Sequence, residues 1–107
     1  MAQLDPIIHP LPRFKICAVL NAYHAVGAGE SVRREMQFAV LRKEVDMSAA
    51  SLSKQLNVLE DAGYIERFRE YGSTRSKDKV WVMLSEQGVK AFEEHLAALK
   101  EAAGGSF

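Results

Sequence analysis

The hydrophobic pattern of the chain changes at Gly63, and this change restricts the possible folds more than any other feature of the sequence. Before this glycine, Leu52, Leu56 and Leu59 recur at spacings of four and three residues, which is typical of the apolar face of a helix. After it, the pattern has a period of two, which is typical of strands. Glycine suits such a boundary because helices commonly end in a left-handed residue. We therefore predict a helix over 48–62 and strands over 64–71 and 79–84.

The other face of the predicted 48–62 helix is small and polar. Ser48 stands where an N-cap belongs, since its hydroxyl can accept a hydrogen bond from a free amide of the first turn. A helix with such an uncrowded face can enter the major groove of DNA, and the alternative is an ordinary solvated face. The residues of this face are Ser48, Ala50, Ser51, Ser53, Lys54 and Asn57.

The segment before this helix is predicted to hold an arm, two helices and a brief strand. Pro6, Pro10 and Pro12 favour an extended arm, because proline fixes the backbone and lacks an amide donor. The predicted elements are an arm over 1–12, a helix from Arg13 that buries Ile16, Val19, Leu20 and Tyr23, a loop over 27–34, a strand within 35–38, and a helix over 39–45 that buries Val45 and either Val40 or Leu41.

The segment after Gly63 is predicted to end in a long helix. The two strands are separated by GSTRSKDK, which has the composition of an exposed hairpin loop. Ser85 stands at the N-cap of the final helix, and Glu86 lies in its first turn, where the helix dipole favours an acid. The apolar seam of this helix is Val89, Phe92, Leu96, Leu99 and Ala103.

The predicted order is helix, short strand, helix, helix, strand, strand, helix. Two short helices joined by a turn of a few residues form a helix-turn-helix, and the hairpin behind them forms a wing. The fold class is therefore mainly α with a small antiparallel β wing, a winged helix-turn-helix domain. We divide the chain into an N-terminal arm (1–12), a winged helix-turn-helix domain (13–84), a C-terminal dimerisation helix (85–103) and a disordered tail (104–107).

The composition disfavours several classes of protein. A chain of 107 residues suits one domain without a deep catalytic cleft, and it shows no nucleophile–base pair, so we expect no enzyme. The single cysteine, Cys17, cannot form an intramolecular disulfide, which favours a reducing cytoplasm. We interpret it as a small buried hydrophobe rather than a redox switch. No apolar run approaches the ~20 residues of a membrane span, and no signal peptide opens the chain.

The net charge of zero hides a polarised distribution. Residues 64–84 carry five basic against three acidic side chains, an excess of two. Residues 85–107 carry two basic against four acidic side chains, a deficit of two. The wing is therefore the second candidate for contact with a phosphate backbone.

A family resemblance rests on three phrases of the sequence. LSKQLNVLEDAGYIER, followed by a basic loop, VWVMLSEQG and an amphipathic terminal helix, resembles MarR-type and ArsR-type transcriptional regulators. With LDPIIHPLPRFKICAVL at the start, the chain is most similar to small stand-alone winged-helix DNA-binding proteins of bacteria and archaea, over about residues 4–103. The resemblance implies a homodimer that binds an operator and regulates transcription, without enzymatic activity. Metal-sensing ArsR proteins carry a cysteine pair in the helix-turn-helix, and this chain has none there.

The polar helix face is predicted to read bases, while the wing holds phosphates. Ala50 can touch a thymine methyl group, and Asn57 can pair with adenine. Ser51 and Ser53 can bond bases or phosphates, and Lys54 can reach a guanine or a phosphate.

In the wing, Arg75 at the loop tip is predicted to enter an adjacent minor groove, while Lys77 and Lys79 hold phosphates. The alternative is a solvated hairpin. The predicted wing residues are Arg69, Ser73, Thr74, Arg75, Lys77 and Lys79.

A homodimer is predicted from the two ends of the chain, because the arm and the last helix both offer apolar residues that need a surface. Such a dimer would place two recognition helices about one DNA turn apart on a pseudo-palindrome. The alternative is core packing within one chain. The predicted interface residues are Leu4, Ile7, Ile8, Val89, Phe92, Leu96 and Leu99.

Three further expectations concern ligands and competing functions. His9, His24 and His95 show no spacing that places two on one helix face, so we expect neither a metal nor a cofactor. An unknown small-molecule effector could bind near Tyr23, Trp81 and Phe92, although these could equally be core residues. The competing function is a winged helix for protein–protein contact, which should tolerate acidic or bulky apolar residues where this chain shows small polar and basic ones.

Overall fold

The predicted element order is confirmed. The computed structural model describes residues 3–23, 25, 35–74 and 78–104, so the predicted loop over 27–34 lies outside the described residues, as do residues 105–107 of the predicted tail. The elements are α1 (Leu11–Ala22), β1 (Met36–Gln37), α2 (Phe38–Val45), α3 (Ala49–Asp61), β2 (Ile65–Glu70), β3 (Lys79–Leu84) and α4 (Glu86–Ala102).

The N-terminal boundary is the largest error in the predicted elements. Helix α1 begins at Leu11 rather than Arg13, with Pro12 inside its first turn, where a proline costs no hydrogen bond because these amides are free in any helix. The arm before it is also less extended than predicted, since the amide of His9 donates to the carbonyl of Asp5 at 2.7 Å and closes a turn.

The three strands form one antiparallel sheet in the order β1-β3-β2. Strand β2 pairs with β3 along its full length, from Ile65 opposite Leu84 to Glu70 opposite Lys79. The side chains of Ile65, Val82 and Leu84 lie on the face turned to the helices and are buried. This hairpin is the wing that the sequence predicted.

The core lies between the four helices and the inner face of the sheet. Leu41 is fully buried while Val40 is 45% exposed, which decides between the two candidates in α2. Tyr23 is 53% exposed at the end of α1, so its predicted burial is wrong. The buried face of α1 consists of Ile16, Cys17 and Leu20.

The buried face of α4 is rotated from the predicted seam. It consists of Gly88, Phe92, His95 and Ala98, while Val89, Leu96 and Leu99 are only partly buried and Ala103 is exposed. The cause is tertiary: Gly88 has no side chain and approaches the backbone of Tyr64 closely. Helix α4 therefore packs through the face that carries Gly88 rather than through the face with its largest aliphatic side chains.

The N-terminal arm packs on its own chain. Ile8 is fully buried in the core, and Ile7 is partly buried against it. The backbone amide of Asp5 donates to Nδ1 of His95 at 2.9 Å, which fixes the arm against the middle of α4. The apolar side chain of Ile8 is thus buried by its own chain, without a second copy. Phe92 is likewise a core residue, 4% exposed and 5.7 Å from the ring of Phe14.

The two ends of α3 are fixed as the sequence predicted. Oγ of Ser48 accepts from the amide of Ser51 at 3.1 Å, and Gly63 ends the helical segment with a φ of 80°. The turn before α3 contains Asp46 in a left-handed conformation, with a φ of 54°. Nε of Arg42 donates to the carbonyl of Met47 at 3.0 Å across this turn. These contacts set the angle at which α3 follows α2.

Candidate nucleic-acid interface

Helix α3 buries one face completely and leaves the opposite face open. Leu52, Leu56 and Leu59 are fully buried, whereas five of the six predicted reading residues are exposed and Ser53 is partly buried. The helix therefore presents small polar groups that its own fold does not use for packing. The exposed residues are Ser48, Ala50, Ser51, Lys54 and Asn57.

Arginine side chains fix α3 on two sides. On the side of α1, a guanidinium nitrogen of Arg13 donates to Oε1 of Gln55 at 2.9 Å. On the side of the wing, one guanidinium nitrogen of Arg67 donates to Oδ1 of Asn57 at 2.6 Å and to Oε1 of Glu60 at 2.7 Å. These contacts hold the helix in one orientation relative to α1 and to the sheet.

The contact with Arg67 gives Asn57 a second role that the sequence analysis missed. A signal for it was available, because the period of two places Ile65, Arg67 and Arg69 on one face of β2. Since Ile65 is buried under that face, Arg67 was placed to lean over α3. The predicted adenine contact of Asn57 must be considered together with this arginine.

A cleft of about 400 Å³ lies where α3 meets the wing. Ala49 and Ser53 form its helical wall, and Arg67 and Arg69 stand on its strand side. Its apolar lining comes from Phe38, Phe68 and Val80. Of these two, the exposed guanidinium of Arg69 is suited to a phosphate backbone, because arginine presents a planar fork of donors, whereas that of Arg67 is bonded to Asn57 and Glu60.

The described part of the wing is exposed. Arg69, Ser73, Thr74 and Lys79 all lie on the surface, and the guanidinium carbon of Arg69 stands 5.9 Å from the centre of the Tyr71 ring. Arg75 and Lys77 lie outside the described residues. The amide of Gly72 donates to Oδ1 of Asp78 at 2.9 Å, which ties the two ends of the hairpin loop together.

Two further basic residues flank the turn that leads into α3. Arg42 and Lys43 lie in the last turn of α2 and are exposed. The helix dipole accounts for them without a ligand, since cations are stabilising at helix C-termini. Their position next to the N-terminus of α3 also makes them candidates for phosphate contact, and the sequence analysis did not include them.

The comparison with protein families identifies the family of the chain. The model of the family described as "Winged helix DNA-binding domain" matches residues 13–103. The chain belongs to this family. The match runs from α1 through α4, so this winged helix DNA-binding domain includes the terminal helix as well as the wing. No curated protein matches the chain.

Cys17 and His95 have structural roles. Cys17 is fully buried, as predicted, and desolvation raises the pKa of its thiol to about 12. His95 is buried against the arm, and burial lowers its pKa, which favours the neutral imidazole; Nδ1 accepts from the amide of Asp5. His9 lies 5.6 Å from His95, a pairing between the arm and α4 that spacing within one helix cannot show. His24 lies outside the described residues.

The predicted effector crevice does not form as one site. Tyr23 and Trp81 line a cleft of about 320 Å³ together with Met36 and Val40, but Phe92 lies in the core. Within the described ranges, no three His, Cys, Asp or Glu side chains are placed to hold a metal ion. Over the same residues, no helix is both long and apolar enough to cross a membrane.

Proposed function

We propose that this winged helix domain is a sequence-specific transcriptional repressor of the MarR or ArsR type, acting in the cytoplasm of a bacterium or archaeon. It binds a pseudo-palindromic operator as a homodimer and occludes a promoter. The observation that carries the proposal is the open, small and polar face of α3 beside the arginines of β2, in a chain of a DNA-binding family.

The recognition helix and the wing divide the work. Among the exposed residues of the α3 face, Lys54 is the basic one, so this helix supplies base contacts and little electrostatic affinity. Arg69 and Lys79 of the wing supply phosphate contacts, which carry most of the salt-dependent binding. Arg75 and Lys77 extend this set in the proposal.

A protein-binding role of the wing is the second candidate, because two aromatic side chains lie exposed on β2 and just after it. Phe68 is 44% exposed opposite Trp81, and Tyr71 is 76% exposed. Large exposed apolar side chains are typical of protein contact sites rather than of phosphate contacts. A domain used only in this way would bind DNA weakly and without sequence preference.

We expect Arg69→Ala and Lys54→Ala to weaken DNA binding and reduce its salt dependence. The slope of log K against log salt is expected to be roughly −4 to −8 for the wild-type dimer. Each lost phosphate contact should make this slope less steep by about 1. The measurement is a mobility-shift titration over several salt concentrations on DNA from upstream of the gene itself. Lys90→Ala is the matched control, since Lys90 is exposed on α4. An affinity that does not change with salt would refute this mechanism and favour the protein-binding role.

The homodimer is proposed to form where the arm meets α4. Leu4 is 44% exposed, and the bond of its neighbour Asp5 to His95 holds this part of the arm against α4, where Leu96 and Leu99 are partly buried. The surface of the interface is assigned to these residues with Ile7 and Val89, while Ile8 and Phe92 support it from the core beneath.

We expect light scattering at micromolar concentration to give twice the chain mass of 11.9 kDa. The double variant Leu4→Ser, Leu99→Ser should give the monomer mass, because an interface loses its apolar contacts. Val40→Ser is the control, since Val40 is an aliphatic residue of similar exposure on α2. A wild-type protein that remains monomeric would remove the dimer from the proposal.

A further inference from the structure

The amide group of Asn57 is held in a defined orientation by Arg67. A guanidinium carries donors only, so the Asn57 atom 2.6 Å from the Arg67 nitrogen must be the acceptor, Oδ1. The amide plane then places Nδ2 and its two hydrogens on the side away from Arg67. Asn57 is exposed on the open face of α3, so Nδ2 offers its two hydrogens to a partner, while the second lone pair of Oδ1 lies beside the guanidinium.

This orientation conflicts with adenine as the partner. Asparagine reads adenine through two bonds, in which Oδ1 accepts from N6 and Nδ2 donates to N7. Arg67 already uses one of the two lone pairs of Oδ1, and its positive charge, 2.6 Å away, disfavours a second donor there such as N6 of adenine. Guanine presents only acceptors at the corresponding major-groove positions, O6 and N7, and these suit a group that can only donate.

Arg67 is itself fixed on both sides. Its guanidinium bonds Oε1 of Glu60 at 2.7 Å, and Glu60 lies three residues after Asn57 on the same side of α3. Its backbone is opposite Val82 in the paired part of the sheet, and its side chain is 21% exposed. The carboxylate of Glu60 offsets its charge, which makes Arg67 a poorer phosphate ligand than the exposed Arg69.

We propose that Arg67 is a specificity-determining residue: by bonding Oδ1 of Asn57, it turns the Nδ2 donors towards the base and places a cation beside Oδ1, so that Asn57 selects guanine rather than adenine. The inference rests on the proposed function, since it assumes that α3 lies in the major groove. Arg67 acts as a positioning residue, and Asn57 makes the base contact.

The test is selection of binding sites from random DNA with the wild-type dimer and its variants, followed by competition binding on the selected site. Asn57→Ala identifies the base pair under Asn57, because preference is lost at that pair alone. At this pair, we expect the wild type to favour guanine over adenine by about tenfold. Arg67→Ala should abolish that preference and bind adenine at least as tightly, because the amide is then free to turn and no cation beside Oδ1 disfavours N6 of adenine.

Three variants separate this role from simple loss of charge. Arg69→Ala, on the same face of the same strand, should weaken binding to all sites equally and keep the guanine preference. Arg67→Lys should keep the preference, since an ammonium still donates to Oδ1. Asn57→Asp should lose the preference although Arg67 stays bonded, because a carboxylate has no hydrogen to donate; this variant serves if Arg67→Ala does not fold.

The outcomes distinguish the two proposals. If the wild type selects no sequence at all, the proposed function fails. If it selects a site but favours adenine under Asn57, or if Arg67→Ala keeps the guanine preference, the role of Arg67 is refuted while DNA recognition stands.

Discussion

Gly88→Ala is expected to destabilise the domain by at least about 2 kcal/mol, although alanine is the better helix former. Helix propensity alone predicts a gain of about 1 kcal/mol for this change inside a helix. A Cβ at position 88 would lie 2.9 Å from the carbonyl carbon of Tyr64 and would overlap the carbonyl oxygen. Because the obstacle is backbone rather than a flexible side chain, the clash is resolved only by moving α4, and overpacking of this kind costs about 1 to 3 kcal/mol or more.

The surroundings of Gly88 leave little room for such a movement. Oγ of Ser85 accepts from the amide of Gly88 at 2.9 Å and donates to the carbonyl of Gly63 at 2.6 Å. The carbonyl of Tyr64 also accepts from the amide of Ser85 at 3.0 Å. Shifting α4 away from Tyr64 would therefore break the bonds of Ser85 to the carbonyls of Gly63 and Tyr64, which link the start of α4 to the end of α3.

Urea unfolding followed by circular dichroism measures the effect as a lower midpoint with an unchanged slope. Gly104→Ala is the matched control, since a Cβ there meets nothing within 4 Å and its cost is limited to the left-handed backbone, about 1 kcal/mol. A Gly88→Ala variant as stable as the wild type would show that α4 does not approach the backbone of Tyr64 this closely.

The features that could be predicted from the sequence are those that local patterns encode. The leucine stripe of α3, the caps Ser48 and Ser85, and the stop at Gly63 each depend on neighbours within a few residues, and each was predicted correctly. The wing followed from the change to a period of two. Together they sufficed for the element order and the fold class.

The features that the sequence analysis missed are contacts between distant elements. Helix α4 buries the face that carries Gly88 rather than the face with its large aliphatic residues, because the backbone of Tyr64, 24 residues earlier in the chain, lies against Gly88. The bond between Asp5 and His95 spans 90 residues, and no spacing rule within one helix indicates it. The bond from Arg67 to Asn57 was partly predictable. Strand alternation indicates the side of β2 on which the Arg67 side chain lies, but it does not indicate Asn57 as the acceptor.

Asp5→Ala is expected to destabilise the domain by about 3 kcal/mol, because the carboxylate of Asp5 accepts three hydrogen bonds. Oδ1 accepts from the amides of Ile7 and Ile8 at 2.8 and 3.3 Å. Oδ2 accepts from the hydroxyl of Tyr64 at 2.6 Å. Hydrogen bonds to charged groups contribute about 1.5 to 3 kcal/mol each, and unsatisfied buried donors cost a similar amount.

The same substitution should change how stability depends on pH at the alkaline end. The hydrogen bond to Asp5, with burial and the charge of Asp5 adding to it, raises the pKa of Tyr64 from 10.0 to about 12. A folded-state pKa above the unfolded value stabilises the protein below pH 10, and this contribution is lost as pH rises towards 12. In Asp5→Ala, the Tyr64 hydroxyl should ionise closer to pH 10, so its contribution to the loss of stability between pH 10 and 12 should shrink.

Chemical unfolding at neutral pH, together with ultraviolet titration of the tyrosines, measures both effects in one pair of proteins. Asp61→Ala is the control, since Asp61 is an exposed acid at the end of α3, and it should change neither the midpoint nor the Tyr64 titration. Asp5→Asn should fall between Asp5→Ala and the wild type, because the amide oxygen still accepts from the turn. If Asp5→Ala matched the wild type in both measurements, the arm would not be attached to Tyr64. Tyr64 directly follows Gly63 at the end of α3, so this attachment connects the first residues of the chain to the element proposed to read DNA.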